Sequence, residues 1–482
     1  MSIYRNHLPI MGASGQSTGY EINQSIKFDQ DNNASLQRTP SSAGNRRNWT
    51  FSVWFKESLY STNGYHNIFA VKVDSNNFYE MAIRRGSFAS DGSGHNLQIN
   101  NKVSGTNNYY HKTDMAFLDP TAWYHLVAVA DTPNQIPNER MRLYVNGVRI
   151  TSFETNTIPA EDYETWVNST NETMIGNYPG ASGYGFDGYM AEINLIDGYS
   201  YGPEYFGEFK EDTDIWIPKE YTGSYGTNGF YITGENINVP GENKATGNTY
   251  ASYANTAYQT HDQSLDSPTN NFCTPNPLDN YYFAGTFKDG MTTVTSSAAS
   301  GNYTFHTTTM KVPETGKWYA EVECDVVGSG VGFGISEEVS TAINSYIGNL
   351  STAFAYYSNG QSFHEGGRSF GDSFTSGDII GIAVDMDNKK IYYSKNGTFQ
   401  ASGNPAGNSN GLSIDSGVTY FFAANDDTGA STTSRWIWNF GQNPMFSGGT
   451  SAGGNKDSNG RGNFKYSVPS GFLAVCTKNL GV

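Results

Sequence analysis

Short segments in which apolar and polar residues alternate recur along the whole chain, separated by clusters of Gly, Asn, Asp and Ser. No stretch keeps a 3.6-residue period over several turns, so the pattern predicts strands. Helix should fall below about a tenth of the chain, against about a third in ordinary domains. In WTFSVWF, Trp49, Phe51, Val53 and Phe55 share one face of a strand, and Thr50, Ser52 and Trp54 share the other. WYHLVAVAD, Trp123 to Asp131, is apolar on both faces and reads as a central strand. MRLYVNGVRI places Leu143 and Val145 opposite Arg142 and Tyr144, then reverses at Asn146-Gly147, a dipeptide suited to a type I′ hairpin.

The same grammar returns in the second half. GDIIGIAVDMD, Gly377 to Asp387, reads as a buried strand ending in an acidic turn, and KKIYYSKNG ends in a second hairpin dipeptide, Asn396-Gly397. Between the halves, residues 207–279 are rich in Gly, Asn, Thr and Tyr and poor in aliphatic residues. Tyr221, Tyr225, Phe230 and Tyr231 predict that this stretch is an extended strap packed on a domain surface, because isolated aromatics on a free tether would leave apolar area in water. SPTNNF, Ser267 to Phe272, is turn chemistry leading into the second domain.

With 482 residues the chain is too long for one core, so two domains are expected. Composition agrees with β structure: 33 Tyr, 28 Phe and 54 Gly stand against 14 Leu, and aromatic residues suit pleated surfaces while Gly suits tight turns. The fold class expected is all-β, two antiparallel β-sandwich (jelly-roll) domains joined by the strap. The boundaries are an N-terminal segment 1–21, sandwiches at 22–206 and 280–482, and the strap between them.

Charge narrows the partners. A formal charge of -17 opposes binding to nucleic acid or an anionic membrane. No run approaches the roughly 18 apolar residues of a membrane span, and the opening MSIYRNHLPIMGASGQSTG lacks a basic region followed by an apolar core, so neither membrane insertion nor classical secretion is expected. Cys273, Cys324 and Cys476 lack metal-ligand spacing and read as buried thiols.

WTFSVWFK, WYHLVAVADT, RLYVNGVRI and IGNYPG followed by FDGYMAEINLIDG resemble, in order and spacing, the laminin-G-like, pentraxin-like jelly rolls of the concanavalin A superfamily, over about Ile22 to Tyr205. GKWYAEVE (Gly316 to Glu323), VGFGISEE, GDSFTSGDIIGIAVDMDNKKIYYSKNG, WNFGQ and VPSGF resemble a SPRY domain, over about Asn280 to Leu480. The opening NNASLQRTPSSAGNRRNWTFSVW, the strap pieces WIPKEYTGSYGTNGFY and LDSPTNNF, and the pairing of the two halves resemble structural proteins encoded in phage genomes, especially marine ones.

Candidate chemistry is sparse. In AEINLID, Glu192 and Asp197 fall near the Glu-x-Asp-x-x-Glu of laminarinase-type glucanases, but Asn194 replaces the central Asp and Asp197 is out of register for the final Glu. Pentraxin-like resemblance implies calcium at Asp74, Asn76 and Asn77 of VKVDSNNFYEM, with Asn177 and Asp187 as further ligands. After MIGN, however, Tyr178, Pro179 and Gly180 stand where the family supplies Glu-Gln-Asp, which favours a structural turn. Loop aromatics are the remaining candidates, since Tyr rings contribute large contact area at low entropic cost. They are Tyr109, Tyr110, Tyr178 and Tyr184 in the first domain, and Tyr346, Tyr356, Tyr357 and His364 in the second.

The resemblance implies a non-enzymatic, homo-oligomeric virion protein of a tailed bacteriophage, assembled in the host cytoplasm and needing no cofactor except, at most, calcium. Its partners would be other virion proteins and a host-surface glycan or protein, as in a tail fibre or receptor-binding component. A capsid decoration or tail-assembly subunit is the alternative, and a glycan hydrolase the remote one.

Overall fold

The computed structural model describes residues 19–58, 64–85, 94–181, 183–245, 252–282, 285–297, 302–328, 330–337, 346–428, 433–443, 445–446, 448, 451 and 453–481. Most of the expected N-terminal segment 1–21 lies outside the described residues. Strands take up 47% and helical turns 4%, which meets the expectation of an all-β chain with under a tenth helix. The chain divides into two compact units, the first ending at Asn270 and the second beginning at Asn271.

In the first unit, two antiparallel sheets of eight strands enclose one core. The first sheet runs Val148–Arg149, Met141–Val145, Tyr124–Asp131, Asn48–Glu57, Gly188–Asp197, Ser25–Phe28 and Gln263–Ser264, and Phe230–Ile232 also pairs with Gly188–Asp197. The second runs Phe153–Thr157, Thr106–Ala116, Asn96–Val103, Asn77–Arg85, Gly64–Asp74, Glu172–Ile175, Ser35–Arg38 and Ala254–Thr256. Alternation works as the sequence predicts: Trp49, Phe51, Val53 and Phe55 enter the core with Phe69, Tyr79, Met81 and Ile99 from the facing sheet. Tyr124–Asp131 lies between two other strands of its sheet, as its two-sided apolarity requires.

Residues 207–270 are part of this first unit and add two strands to the first sheet and one to the second. Phe230–Ile232 and Gln263–Ser264 extend the first sheet, and Ala254–Thr256 caps the edge of the second by pairing with Ser35–Arg38. Tyr221, Tyr225 and Phe230 are buried on the first unit, as expected of a packed strap. Its far end is tied by ionic contacts: Lys56 Nζ lies 2.9 Å from Asp266, Lys27 Nζ lies 3.6 Å from Asp262, and Trp123 Nε1 donates to Asp266 at 2.8 Å. Ser267 and Asn270 bridge each other, closing the SPTNNF turn.

The second unit repeats the architecture with a seven-stranded and a nine-stranded sheet. Lys317–Val326 is central to the larger one, pairing with Asp378–Asp385, with Arg435–Asn439 and, in parallel, with Leu473–Ala474. Both expected hairpins form. Asn146 and Gly147 have φ 49° and 76° with Val145 opposite Val148, and Asn396 and Gly397 have φ 49° and 80° with Lys395 opposite Thr398. The three cysteines are buried and form no disulfide.

Candidate functional site

The outer face of the second sheet in the first unit carries a row of polar groups beside a set of aromatic rings. Tyr79, Met81, Ile83, Leu97, Ile99 and Tyr109 point inward, so Phe78, Glu80, Ala82, Arg84, Gln98, Asn100, Lys102 and Tyr110 fall on the opposite face by the two-residue period. Ala70 and Ala82 form a flat floor, both fully buried. Around them Glu80, Gln98 and Asn100 are 9%, 3% and 7% exposed although they face away from the core. Gln98 Nε2 donates to Glu80 Oε1, and Tyr110 Oη donates to Gln98 Oε1 at 2.9 Å. Asn100 Oδ1 is buried with no hydrogen-bond partner among the described residues. A buried acceptor left unpaired costs about 1–3 kcal/mol.

Aromatic rings wall this band. Tyr65 stacks on Tyr184 with centroids 5.8 Å apart, Tyr184 meets Tyr178 at 6.3 Å, and Tyr178 meets Phe78 edge-on at 5.8 Å. Cations sit over the same rings, Lys72 Nζ 4.9 Å from the Tyr178 centroid, Arg84 Cζ 5.6 Å from Tyr65 and Lys102 Nζ 5.6 Å from Phe78. Burial pushes the Glu80 carboxyl up to about 7, against the opposing pull of the Gln98 amide, Arg84 and Lys102. At neutral pH Glu80 can therefore either accept or donate a hydrogen bond. An aromatic wall beside a row of amide, carboxyl and phenol groups suits a polyhydroxylated ring.

Three of the expected site residues, Tyr110, Tyr178 and Tyr184, thus lie on this one face. Tyr109 does not: it points into the core at 0% exposure, out of reach of any ligand, because it is one residue out of phase with Tyr110. Tyr65, Glu80, Arg84, Gln98 and Asn100 were not singled out from the sequence. Their signal was the polar half of the alternation in FYEMAIRR and NLQINNK, which locates a face without showing what converges on it.

Of the five expected calcium ligands, Asp74, Asn76 and Asn77 gather in one turn. Asp74, Asn76 and Asn77 close a turn on themselves: Asp74 Oδ1 accepts from Asn76 N at 2.7 Å, both its oxygens accept from Asn77 Nδ2 at 2.9 Å, and Asn77 Oδ1 accepts from Ser104 N at 2.9 Å. These bonds, the Asn77 amide first, hold the Asp74 carboxyl below its ordinary range. Asn177 caps its own chain by accepting from Tyr178 N at 2.8 Å, and Asp187 accepts from Ser58 Oγ. Gly185 bridges Asn67, seven residues before Asp74 on an extended strand, so Asp187 lies apart from the turn. The donors fit a self-contained turn better than one calcium shell. Accordingly, millimolar calcium should leave the melting temperature of the protein unchanged; a rise that Asp74→Ala abolishes would assign an ion to the turn.

Residues 28–199 match the concanavalin A-like lectin/glucanases superfamily (laminin G type), and residues 317–405 match the SPRY domain family. The chain carries a concanavalin A-like domain and a SPRY domain. Among solved structures, similarity reaches the SPRY domain of human HERC1, at 18% identity over 34% of this chain and 96% of that one, TM-score 0.28. It also reaches the native heptameric SAP-like pentraxin of Limulus polyphemus, at 16% identity over 38% and 80%, TM-score 0.28. A comparison with curated protein sequences found no match.

In the SPRY domain the candidate aromatics turn out to pack against their own fold. Tyr356 and Tyr357 are 0% and 3% exposed, and the Tyr357 hydroxyl is spent on Ile347 O at 2.8 Å and Asn425 Oδ1 at 2.7 Å. Interior positions of Ala353–Tyr357, a strand flanked on both sides, account for this burial and remove both residues from any surface a ligand reaches. His364 stacks on Phe354 at 4.0 Å, and Tyr346 packs between Tyr303 and Phe363 at 5.6 and 6.0 Å. Both remain partly exposed.

Glu192 of the concanavalin A-like domain sits at a β-bulge with φ 51°, opposite strand Asn48–Glu57. Its carboxylate accepts from Tyr20 Oη at 2.9 Å and Tyr231 Oη at 2.8 Å, and burial pushes it up to about 7. Asp197 is engaged elsewhere, accepting from Asn45 N and Asn228 N at 2.7 Å each and from Asn168 Nδ2 at 3.0 Å. The two carboxylates serve separate structural junctions.

Proposed function

We propose that this chain is a non-enzymatic binding protein of a tailed-phage virion, a fibre or receptor-binding component whose concanavalin A-like domain takes a host-surface glycan on the outer face of its second sheet. The observation that carries the glycan reading is the Tyr65–Tyr184–Tyr178 wall, with Tyr184 41% exposed and Lys72 and Arg84 over its rings. Binding rather than hydrolysis is favoured by the carboxylates. Glycosidases use a pair about 5–9.5 Å apart, whereas the Asp74 turn lies four residues along the strand from Ala70, the partner of Glu80, roughly 13 Å away. The virion assignment draws support from the pairing of both domains with the strap, whose pieces resemble phage structural proteins. In that setting the protein is a homo-oligomer among other virion proteins, gaining avidity from repeated weak sites.

Three measurements test this. Tyr184 is 41% exposed, so Tyr184→Ala should leave the melting temperature nearly unchanged while lowering affinity for purified host-surface polysaccharide about tenfold. Equal binding by the variant would reject the site, and polysaccharide cleavage lost in Glu192→Gln would reject the non-enzymatic reading. Mass spectrometry of intact particles should detect the chain; its absence would reject the virion assignment.

A further inference from the structure

The concanavalin A-like domain exposes a second group of tyrosines, just after strand Gly188–Asp197 of the first sheet and away from the face described above. Tyr199 and Tyr201 are parallel within 2° with centroids 5.4 Å apart, and Tyr201 stacks on Tyr205 at 4.2 Å and 27°. Tyr201 is the middle ring and packs at 6.1 Å against Tyr221, which itself stacks on Phe206 at 5.2 Å. The outer two rings are among the exposed large hydrophobic side chains of the described residues, Tyr199 at 45% and Tyr205 at 43%. None of the three phenol hydroxyls has a hydrogen-bond partner among the described residues, in contrast to Tyr20, Tyr221, Tyr231 and Tyr357.

The backbone that presents these rings is held firmly. Thr50 Oγ1 donates to Tyr199 O at 3.0 Å and accepts from Tyr201 N at 2.8 Å. Ser200 Oγ donates to Ala130 O and accepts from Asn48 Nδ2 at 3.1 Å, while Arg142 Nη2 donates to Ser200 O at 3.3 Å. Three strands therefore fix residues 199–201 from below, although the rings they carry bury no core surface at their outer faces. Rigid aromatic surface offered to solvent costs a ligand little ordering entropy on binding.

We propose that the Tyr199–Tyr201–Tyr205 stack is a second glycan site, taking the apolar C–H face of a neutral hexopyranose on the open face of Tyr199 or Tyr205, with the phenol hydroxyls meeting the sugar's hydroxyls. The combination of open ring face and unspent hydroxyl matches a pyranose, which alternates an apolar face with a hydroxylated rim. Separations of 5.4 and 4.2 Å leave no groove between rings into which a proline-rich peptide could press its prolines. Placed on a different sheet from the Tyr65–Tyr184 wall, the stack would let one domain hold a polysaccharide chain at two points, raising avidity without new contacts at either.

The test is isothermal titration of the full chain with soluble glucose hexamers of α-1,4, β-1,3 and β-1,4 linkage, and with a proline-rich peptide as control. At least one hexamer should bind, and Tyr199→Ala and Tyr205→Ala should each weaken it about tenfold at unchanged melting temperature. Tyr199→Phe should weaken it less, since the ring face remains. Tyr184→Ala in the same titration separates the two sites: a loss there alone would support the first site and overturn the second. Absence of hexamer binding, equal binding by both alanine variants, or peptide binding lost in those variants would each overturn the proposal.

Discussion

Trp216→Ala should lower the melting temperature of the first unit by roughly 10 °C, the product of about 3–5 kcal/mol for truncating a buried tryptophan and about 2–4 °C per kcal/mol for a domain of this size. Trp216 belongs to the strap, yet it is 5% exposed and packs with Ile22, Trp54, Trp123, Tyr189 and Ala191 on the outer face of the first sheet. Its ring stacks over His125 at 5.9 Å and its Nε1 donates to His125 Nδ1 at 2.9 Å. That bond fixes the neutral tautomer whose Nε2–H donates to Ser52 Oγ at 2.8 Å. Gly147 and Gly207 are shaped to the same indole, since a Cβ at either would stand 2.4 Å from ring atoms.

The substitution also changes the response to acid. Burial depresses His125 to about 3, so as pH falls below the ordinary value of 6.5 the unfolded chain takes up a proton that the folded one refuses, and stability is lost down to about pH 3. Removing Trp216 admits water and deletes the donor that favours neutral imidazole, which lets the folded state protonate. The penalty of Trp216→Ala should therefore be largest near pH 7 and smaller at pH 5, as read by scanning calorimetry at both values. A melting temperature within 2 °C of wild type, or a penalty that grows in acid, would refute this role of Trp216.

The other large effect is expected at Glu321 in the SPRY domain. Its carboxylate is fully buried and accepts from Lys465 N and Tyr466 N at 2.8 Å each, from Asn439 Nδ2 and from Tyr319 Oη at 3.2 Å each. It thereby pins the C-terminal segment to the central strand Lys317–Val326. Glu321→Ala strands all four donors and should cost about 3–5 kcal/mol in urea unfolding. Glu321→Gln keeps part of the set and isolates the charge. Burial raises the folded carboxyl from 4.5 to about 7, so between those values the folded state keeps a proton that the unfolded state has released. Wild-type stability relative to Glu321→Gln should accordingly fall by about 3 kcal/mol as pH rises from 4.5 to 7, then level off. A difference that does not change across this window would show that Glu321 titrates normally.

Much of this architecture was legible in the residues themselves. WTFSVWF placed four side chains in the core because a strand's two-residue period leaves no freedom once one face is chosen. Asn-Gly at 146–147 and 396–397 formed hairpins because positive φ at both positions is cheap for these two residues. Tyr109 and Tyr110 show where such reading stops. Adjacent tyrosines in one polar segment divide between core and candidate site, and only the pairing register decides which is which. Tyr356 and Tyr357 fell to the interior for a related reason, since a short aromatic strand looks like a loop until its neighbours on both sides are known.

Sequence by itself determined that the chain is all-β, where its turns lie, which strand faces are apolar, and that an aromatic strap must cover something. Those properties depend on local period and turn chemistry, which neighbouring residues carry. Tertiary structure alone decided that the strap covers Trp54 and His125 through Trp216, that Glu192 is held by Tyr20 and Tyr231, and that Tyr65, Glu80, Arg84, Gln98 and Asn100 share a surface with Tyr178 and Tyr184. Each of these joins residues far apart in the chain, and such contacts follow from sheet order and register, for which a single strand's pattern holds no information.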